Sequence, residues 1–317
     1  MRVLLTGSSG WLGRFLAPRL RAAGHAVIGL DVAPGADTDL LGSVADPATV
    51  ERAFALGVDA VIHAGALHKP DIARYPDQAF IDVNVTGTRS LLHAAARAGH
   101  DRFVFTSTTS LMITQAIRDE AADAAAWLDE ASGPLQPRNI YGVTKLAAEG
   151  LCRLYAHEHG LACVVLRTGR FFPEDDDTLD HLAGENLKAN ELLNRRLTVE
   201  DAADAHIAAL DAAPQLGFDT FIVSAPTPFS RDEAHALKHD AAAVIARHFP
   251  DAPALYARRG WRLPDTIGRV YDASRAEALL GFRARTGFAE LLSALRSGGT
   301  LPFRHDPDYL PPKEEAS

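Results

Sequence analysis

Sulfur is scarce in this chain: its 317 residues include two cysteines, Cys152 and Cys163, and two methionines. One thiol lies in a helical pattern and the other in an apolar strand pattern, which suits reduced, buried side chains better than a disulfide framework. Long apolar runs are also missing. No stretch reaches the about 18 consecutive apolar residues of a membrane span, and MRVLLTGSSG enters a short strand pattern without a signal-like hydrophobic segment. No membrane partner and a cytoplasmic location are the expectation. Positive charge is in deficit, 32 Lys and Arg against 41 Asp and Glu, for a net charge of -9 and a pI near 5.8. That balance argues against nucleic acid as a partner. Internal repeats and low-complexity blocks are absent apart from general alanine richness.

What is present is alternation. The runs RVLLT, AVIGLD, AVIHAG, RFVFTS and CVVLR recur between helical stretches over the first 170 residues, and FIVSA near 221–225 follows the helical LTVEDAADAHIAALDAA. Strand and helix alternating at this spacing imply right-handed βαβ units around a buried parallel sheet, an α/β doubly wound fold. From about Thr227 onward short helical patterns mix with Pro and aromatic residues, without sheet alternation, and read as a smaller lobe. The end, HDPDYLPPKEEAS, has the composition of a loose tail over 305–317.

TGSSGWLGRFL follows the first strand and opens a helix, with Gly7, Gly10 and Gly13 in a G-x-x-G-x-x-G spacing. Such glycines let the backbone turn tightly and approach a pyrophosphate, which the helix N-terminal amides attract. Asp31 closes the second strand, where a carboxylate accepts hydrogen bonds from both hydroxyls of an adenosine ribose and repels a 2′-phosphate. NAD is therefore favoured over NADP, although Arg14 beside the turn is of the type that holds such a phosphate.

NIYGVTK at 139–145 puts Tyr141 one helical turn ahead of Lys145. On one helix face an ammonium favours the ionised phenol. Bringing a phenol from about 10 to neutrality takes roughly 4 kcal/mol, more than one amine gives, so a second cation is required.

With TGSSGWLG, the HAGA at 63–66, NVTGT at 84–88, the hydroxyl cluster TSTTS at 106–110 and YGVTK, the chain resembles the extended short-chain dehydrogenase/reductases. More narrowly, it resembles the NAD-dependent epimerase/dehydratase group. The likeness covers about residues 1–225, with a weaker echo in VYDASRAEALLGFRA at 270–284. It implies a Rossmann-type NAD-binding domain from 1–168 plus about 195–225, and a substrate-binding lobe from 169–194 plus 226–304. It implies Tyr141 as catalytic acid/base, Lys145 on the nicotinamide ribose and Thr108 on the substrate hydroxyl, with oxidised nicotinamide as the second cation. For NAD it implies contacts from Gly7, Ser9, Gly10, Trp11, Leu12, Gly13, Asp31, Ser43, Val44, His63, Ala64, Gly65, Ala66, Asn84, Thr106 and Thr168, besides Tyr141 and Lys145. Substrate contacts are expected from His68, Lys69, Thr108, Thr109 and Arg170. A homodimer built on the helices around 84–99 and 141–158 is implied as well.

Two departures narrow the chemistry. Thr109 and Ser110 stand where 4,6-dehydratases of the family carry Asp-Glu, which disfavours dehydration. Arg170 stands where nucleotide-sugar epimerases usually carry Asn, and LRTGRFFPE is similar to the arrangement in uronate dehydrogenases. The substrate is thus a sugar or nucleotide sugar, epimerised or dehydrogenated, with a free sugar acid as the alternative. A silent NAD-binding regulator is disfavoured by the intact Tyr, Lys and Thr set. No metal is expected at PEDDD (173–177) or at His235 and His239, and the arginines of YARRGWR, Arg258, Arg259 and Arg262, are read either as phosphate contacts or as a covering of the lobe.

Overall fold

The computed structural model describes residues 1–175, 182 and 184–312. Nine strands occur among them: β1 (Arg2–Thr6), β2 (Ala26–Asp31), β3 (Leu40–Leu41), β4 (Ala60–His63), β5 (Phe103–Thr108), β6 (Ala126–Leu128), β7 (Cys163–Thr168), β8 (Phe218–Val223) and β9 (Arg269–Tyr271). Seven form one sheet in the order β3-β2-β1-β4-β5-β7-β8, every pair parallel. Each apolar run identified in the sequence is one of these strands. All carboxyl ends therefore lie along one edge, with the reversal of strand order beside β1, where ligands bind in open parallel sheets.

Helices cover both faces. Leu16 and Leu20 of the helix Trp11–Ala22 pack with Ala205, Ala209 and Leu210 of the helix Val199–Leu216 against Val3, Leu5, Ile62 and Val164. On the other face Leu91 and Leu92 of the helix Thr88–Arg97 meet Ala148, Cys152 and Tyr155 of the helix Ile140–His159, over Leu4, Val61, Phe103 and Cys163. Both cysteines are buried and unbridged, as expected from their patterns. The long helices start where a side chain can take up an orphan amide: Asn139 Oδ1 accepts from Gly142 N at 2.9 Å, and Thr198 Oγ1 from Asp201 N at 3.1 Å.

A separate core, with Leu192, Leu193, Leu237, Val244, Ile245, Trp261, Phe288 and Leu291, builds the smaller lobe. The sequence showed no sheet there, yet β6 pairs in parallel with β9. Three-residue strands are too short to display a period of two. The pairing draws residues 126–128 out of the β5 to β7 connection and onto the lobe, with Ala125 in its core.

The loose-tail reading fails as far as Pro312. Asp306 N donates to Pro173 O at 3.0 Å, and the Tyr309 ring lies edge-on to Trp11 at 5.0 Å with its hydroxyl accepting from Arg14 Nη2 at 3.3 Å. Composition suggested solvation, but a Pro-restricted segment with one aromatic anchor gives up little entropy on docking.

Candidate active site

The turn between β1 and the helix Trp11–Ala22 has no room for a side chain at Gly7 or Gly13. Gly7 has φ +75°, and a Cβ on it would stand 2.8 Å from Gly65 N; one on Gly13 would stand 2.2 Å from Gly7 O. A backbone cradle results, closed on one side by the loop after β4 and on the other by the first helical amides, Trp11, Leu12 and Gly13, whose N–H groups have no carbonyl a turn earlier. Asp31 lies beside it: Oδ2 accepts from Ser9 N at 2.9 Å and Oδ1 from Ala33 N at 3.0 Å, which fixes the carboxylate while leaving lone pairs for a diol. Arg14 is turned toward Tyr309, with its guanidinium 5.6 Å from that ring. A dinucleotide with an unphosphorylated adenosine ribose fits this cradle. Isothermal titration is expected to show tighter binding of NADH than NADPH, and Asp31→Ala should shrink that ratio about 10-fold or more.

Downstream along the same edge opens a cavity of about 1140 Å³, lined among others by Ala64, His68, Lys69, Thr108, Tyr141, Lys145, Thr168 and Arg170. β5 delivers Thr108 at its last residue, and the Asn139 cap delivers Tyr141 and Lys145 one turn apart on the first turns of the helix. Thr108 faces Tyr141 in the cavity, its Oγ1 donating to Ser110 Oγ at 3.0 Å. Burial pushes the Tyr141 phenol up to about 12, Thr108 pulling it back and Asp71 pushing it further. Lys145, also buried, is brought down to about 7, with Cys152 and Glu149 opposing, and its Nζ sits 4.2 Å from the centre of the Phe105 ring. The expectation that Lys145 draws the phenol toward neutrality is thus not met by the protein's own groups. Burial outweighs the amine at both residues, which increases the demand on a second cation.

All five hydroxyls at 106–110 have internal partners, Thr108 and Ser110 pairing with each other. Thr106 Oγ1 meets His206 Nε2 at 2.7 Å, Ser107 Oγ donates to Glu149 Oε1 at 2.6 Å, and Thr109 Oγ1 donates to Thr168 O at 3.2 Å. The Thr109 and Thr106 hydroxyls are thus engaged within the protein, although both residues line the cavity. Thr168 Oγ1 donates to Ser107 O at 3.1 Å.

Other expected cofactor residues act through the backbone or from behind. His63 is buried, with Nδ1 2.7 Å from Thr6 Oγ1 and Nε2 3.0 Å from Thr88 Oγ1, and burial brings it down to about 3. Its ring is a core strut rather than a cofactor contact. Asn84 accepts from Leu67 N at 2.9 Å and donates to Leu67 O at 3.0 Å and to Thr144 Oγ1 at 3.1 Å, so it holds the loop after β4 and does not reach into the cleft. Leu12 and Val44 are core side chains. Trp11 Nε1 donates to Phe171 O at 3.2 Å, and Ser9 Oγ to Ala33 O at 2.7 Å. Ser43 Oγ accepts from Ala45 N, and Gly10, Gly65 and Ala66 contribute backbone only.

His68 and Lys69 do reach the cavity. The His68 ring lies 5.7 Å from that of Tyr141 and 5.6 Å from Phe172. Arg170 reaches it too, paired with Glu174 at 3.7 Å. Arg258, Arg259 and Arg262 do not line it: Arg259 covers Trp261 at 4.7 Å and pairs with Glu185, and Arg262 faces Asp265 at 3.9 Å. They cover the lobe. Asp176 and Asp177 of the acidic run lie outside the described residues. His235 and His239 form an exposed group with Asp123, His239 Nε2 lying 2.7 Å from Asp123 Oδ1. Sequence reasoning missed Asp71, Glu149 and Arg167, whose roles depend on partners distant in the chain.

A seven-stranded parallel sheet with this cradle and a Thr, Tyr, Lys set at its carboxyl edge defines a dinucleotide-dependent short-chain dehydrogenase/reductase of the extended type. The chain belongs to the NAD dependent epimerase/dehydratase family, whose model matches residues 3–223. It is 34% identical over 186 residues to an L-arabinose 1-dehydrogenase (NAD(P)(+)) of Haloferax volcanii, covering 55% of this chain and 69% of that one. It is 30% identical to a uronate dehydrogenase of Pseudomonas syringae pv. tomato, covering 55% of this chain and 60% of that one. A UDP-glucose 4-epimerase of Mycolicibacterium smegmatis is 28% identical over 92% of this chain and 96% of its own. Among solved structures, a short-chain dehydrogenase/reductase superfamily protein from Agrobacterium tumefaciens with bound NAD superposes with a TM-score of 0.68 at 25% identity, covering 94% and 96% of the two chains. Among the described residues no helix is long and apolar enough to cross a membrane.

Proposed function

We propose that this enzyme removes hydrogen from a secondary hydroxyl of a sugar or nucleotide sugar. The observation that carries the reading is the convergence of Thr108, Tyr141 and Lys145 on one cavity at the carboxyl edge of the sheet that also carries the glycine cradle. NAD+, when bound, supplies a hydride acceptor and a pyridinium charge. Tyr141 accepts the hydroxyl proton as the carbon–hydrogen bond breaks toward that acceptor, and Thr108 donates to the developing carbonyl oxygen. Lys145 holds the ribose, and in its charged form it adds to the field on the phenol. His68 and Phe172 wall the sugar from water.

Hydride returned to the opposite face makes the net reaction an epimerisation; release of NADH makes it a dehydrogenation. The matches to sugar and uronate dehydrogenases favour the second outcome for free sugars, and the full-length match to an epimerase favours the first for nucleotide sugars. Incubation with NAD+ and a panel of aldoses, uronates and UDP-sugars is expected to give either stoichiometric NADH or interconverted epimers. Neither product from any panel member would refute the reading.

The protein is proposed to be a homodimer. Val143, Ala147, Gly150 and Leu154 form an outward stripe on the helix Ile140–His159, with Val143 49% and Leu154 43% exposed. Exposed apolar side chains at helical spacing beside small residues suit a second copy of the same helix. Sedimentation at micromolar concentration is expected to give twice the chain mass.

A further inference from the structure

The smaller lobe carries a group of metal-ligand side chains that hydride transfer does not use. Among the described residues, Asp123, His235 and His239 each offer one donor atom, and these atoms lie within 4.8 Å of one another. The two histidines stand one turn apart on the helix Ala234–His239, so both imidazoles share a face, with ring centres 4.5 Å apart. Asp123 comes from the connection between β5 and β6. His239 Nε2 lies 2.7 Å from Asp123 Oδ1, and His235 Nε2 lies 3.3 Å from Oδ2. Both ring nitrogens thus face one carboxylate, one at each oxygen.

Asp123 is held over the helix from both sides. Upstream, Lys238 Nζ donates to Glu120 Oε2 at 2.5 Å; downstream, Ala125 N donates to Ala234 O at 2.9 Å. β6 then fixes the chain on the lobe by pairing with β9. The fold, and not the imidazoles alone, sets the position of the carboxylate. A tetrahedral zinc ion bonded at about 2.0–2.1 Å places its ligand atoms roughly 3.3 Å apart, which the His235 contact matches and the His239 contact reaches with a small opening.

Exposed ion pairs stabilise a fold little, so pairing alone accounts poorly for three side chains fixed at one point. Two imidazole nitrogens with one carboxylate oxygen are a donor set for late first-row divalent ions, whereas magnesium and calcium seek oxygen. We propose that Asp123, His235 and His239 form a site for a zinc-type divalent ion that ties the connection between β5 and β6 to the smaller lobe. The sequence shows two histidines without a third ligand, so no metal is expected from it; folding supplies the third. None of the three residues lines the cavity at Tyr141. The ion therefore braces the connection that brings Ser110, Ile113 and Arg118 to the cavity wall and stays clear of the reacting atoms.

The test uses the full chain, free of any affinity tag and stripped by chelator, titrated with zinc ion alone and with cobalt(II) ion alone. Wild type is expected to take up one zinc per chain with micromolar affinity, and cobalt to develop the visible absorption of an imidazole-bound ion. His235→Ala, His239→Ala and Asp123→Ala should each weaken zinc by about 10-fold or more, since a lost ligand costs at least as much as a lost outer-shell partner. All three side chains are exposed, so without zinc the variants should melt within about 2 °C of wild type. Zinc at about 100-fold excess over Kd should raise the melting temperature of wild type by several degrees and that of the variants by less. Tryptic cleavage after the exposed Arg118 should slow when zinc is bound. Zinc affinity unchanged in Asp123→Ala would reduce the group to a helical histidine pair and overturn the three-ligand site. Absence of saturable uptake by wild type, or equal uptake in all three variants, would leave surface ion pairs only. Melting and cleavage indifferent to bound zinc would overturn the tie between connection and lobe.

Discussion

Tyr141→Phe is expected to lower kcat by about 10³- to 10⁴-fold with NAD+ affinity unchanged, because the ring is kept and only the proton acceptor is lost. The pH profile carries the same information. The group must shed its proton to act as a base, and the protein's own environment holds it at about 12. Below that value the ionised fraction grows about tenfold per pH unit, so oxidation is expected to accelerate with rising pH through neutrality. The pyridinium charge of bound NAD+ shifts the whole curve to lower pH without reversing its sign. Residual activity in Tyr141→Phe should show no such slope. Thr108→Val, which removes the hydroxyl that holds the phenol down, should cost about 10²-fold and move the acid limb upward in pH. A Phe variant turning over at the wild-type rate, or with the wild-type slope, would exclude Tyr141 as the base.

Arg167→Met is expected to destabilise the fold by about 3–5 kcal/mol. Arg167 Nε and Nη2 donate to Glu149 Oε1 and Oε2 at 3.0 and 2.7 Å, Ser107 Oγ adds a third bond, and both side chains are only 7% exposed. Removing the cation leaves a buried carboxylate with one hydroxyl for company. Removing both, in Glu149→Met with Arg167→Met, should recover most of the loss, since paired apolar replacements leave no stranded charge. Thermal unfolding of the three variants measures this, and an additive double variant would contradict it. The effect extends to the chemistry. Ser107 adjoins Thr108, and Glu149 lies one turn beyond Lys145, so the pair clamps the end of β5 to the helix Ile140–His159 that carries Tyr141 and Lys145. Arg167→Met should therefore also reduce kcat at temperatures where it remains folded.

Much of this was legible in the chain itself because the signals are local. Apolar runs mark six of the seven strands of the main sheet, the two-residue β3 being too short to show one, and the glycine spacing marks a cradle with no room for a Cβ at Gly7 or Gly13. Asn139 and Thr198 mark helix starts, and the Tyr to Lys spacing marks one helix face. Signals that depend on distant partners were not legible. Nothing near Thr106 announces that His206, a hundred residues on, takes its hydroxyl, and His63 and Asn84 resemble cofactor contacts until Thr6, Thr88 and Leu67 are seen around them. The short β6 and β9 carry no readable period, so the arrival of Asp123 beside His235 and His239 was invisible. The run at 258–262 looked more like a binding site than this group does, because clustering in sequence is easier to see than clustering in space. The docking of 305–312 escaped because composition reports solvation preference and not the single aromatic contact that decides it.

The three tryptophans are distributed so that their emission separates the two halves of the molecule. Trp11 stands at the pyrophosphate cradle between Phe15 and Tyr309, whereas Trp127 and Trp261 belong to the core of the smaller lobe. Quenching that survives removal of Trp127 and Trp261 but disappears with Trp11 would give an intrinsic optical read-out of dinucleotide occupancy, with no label attached.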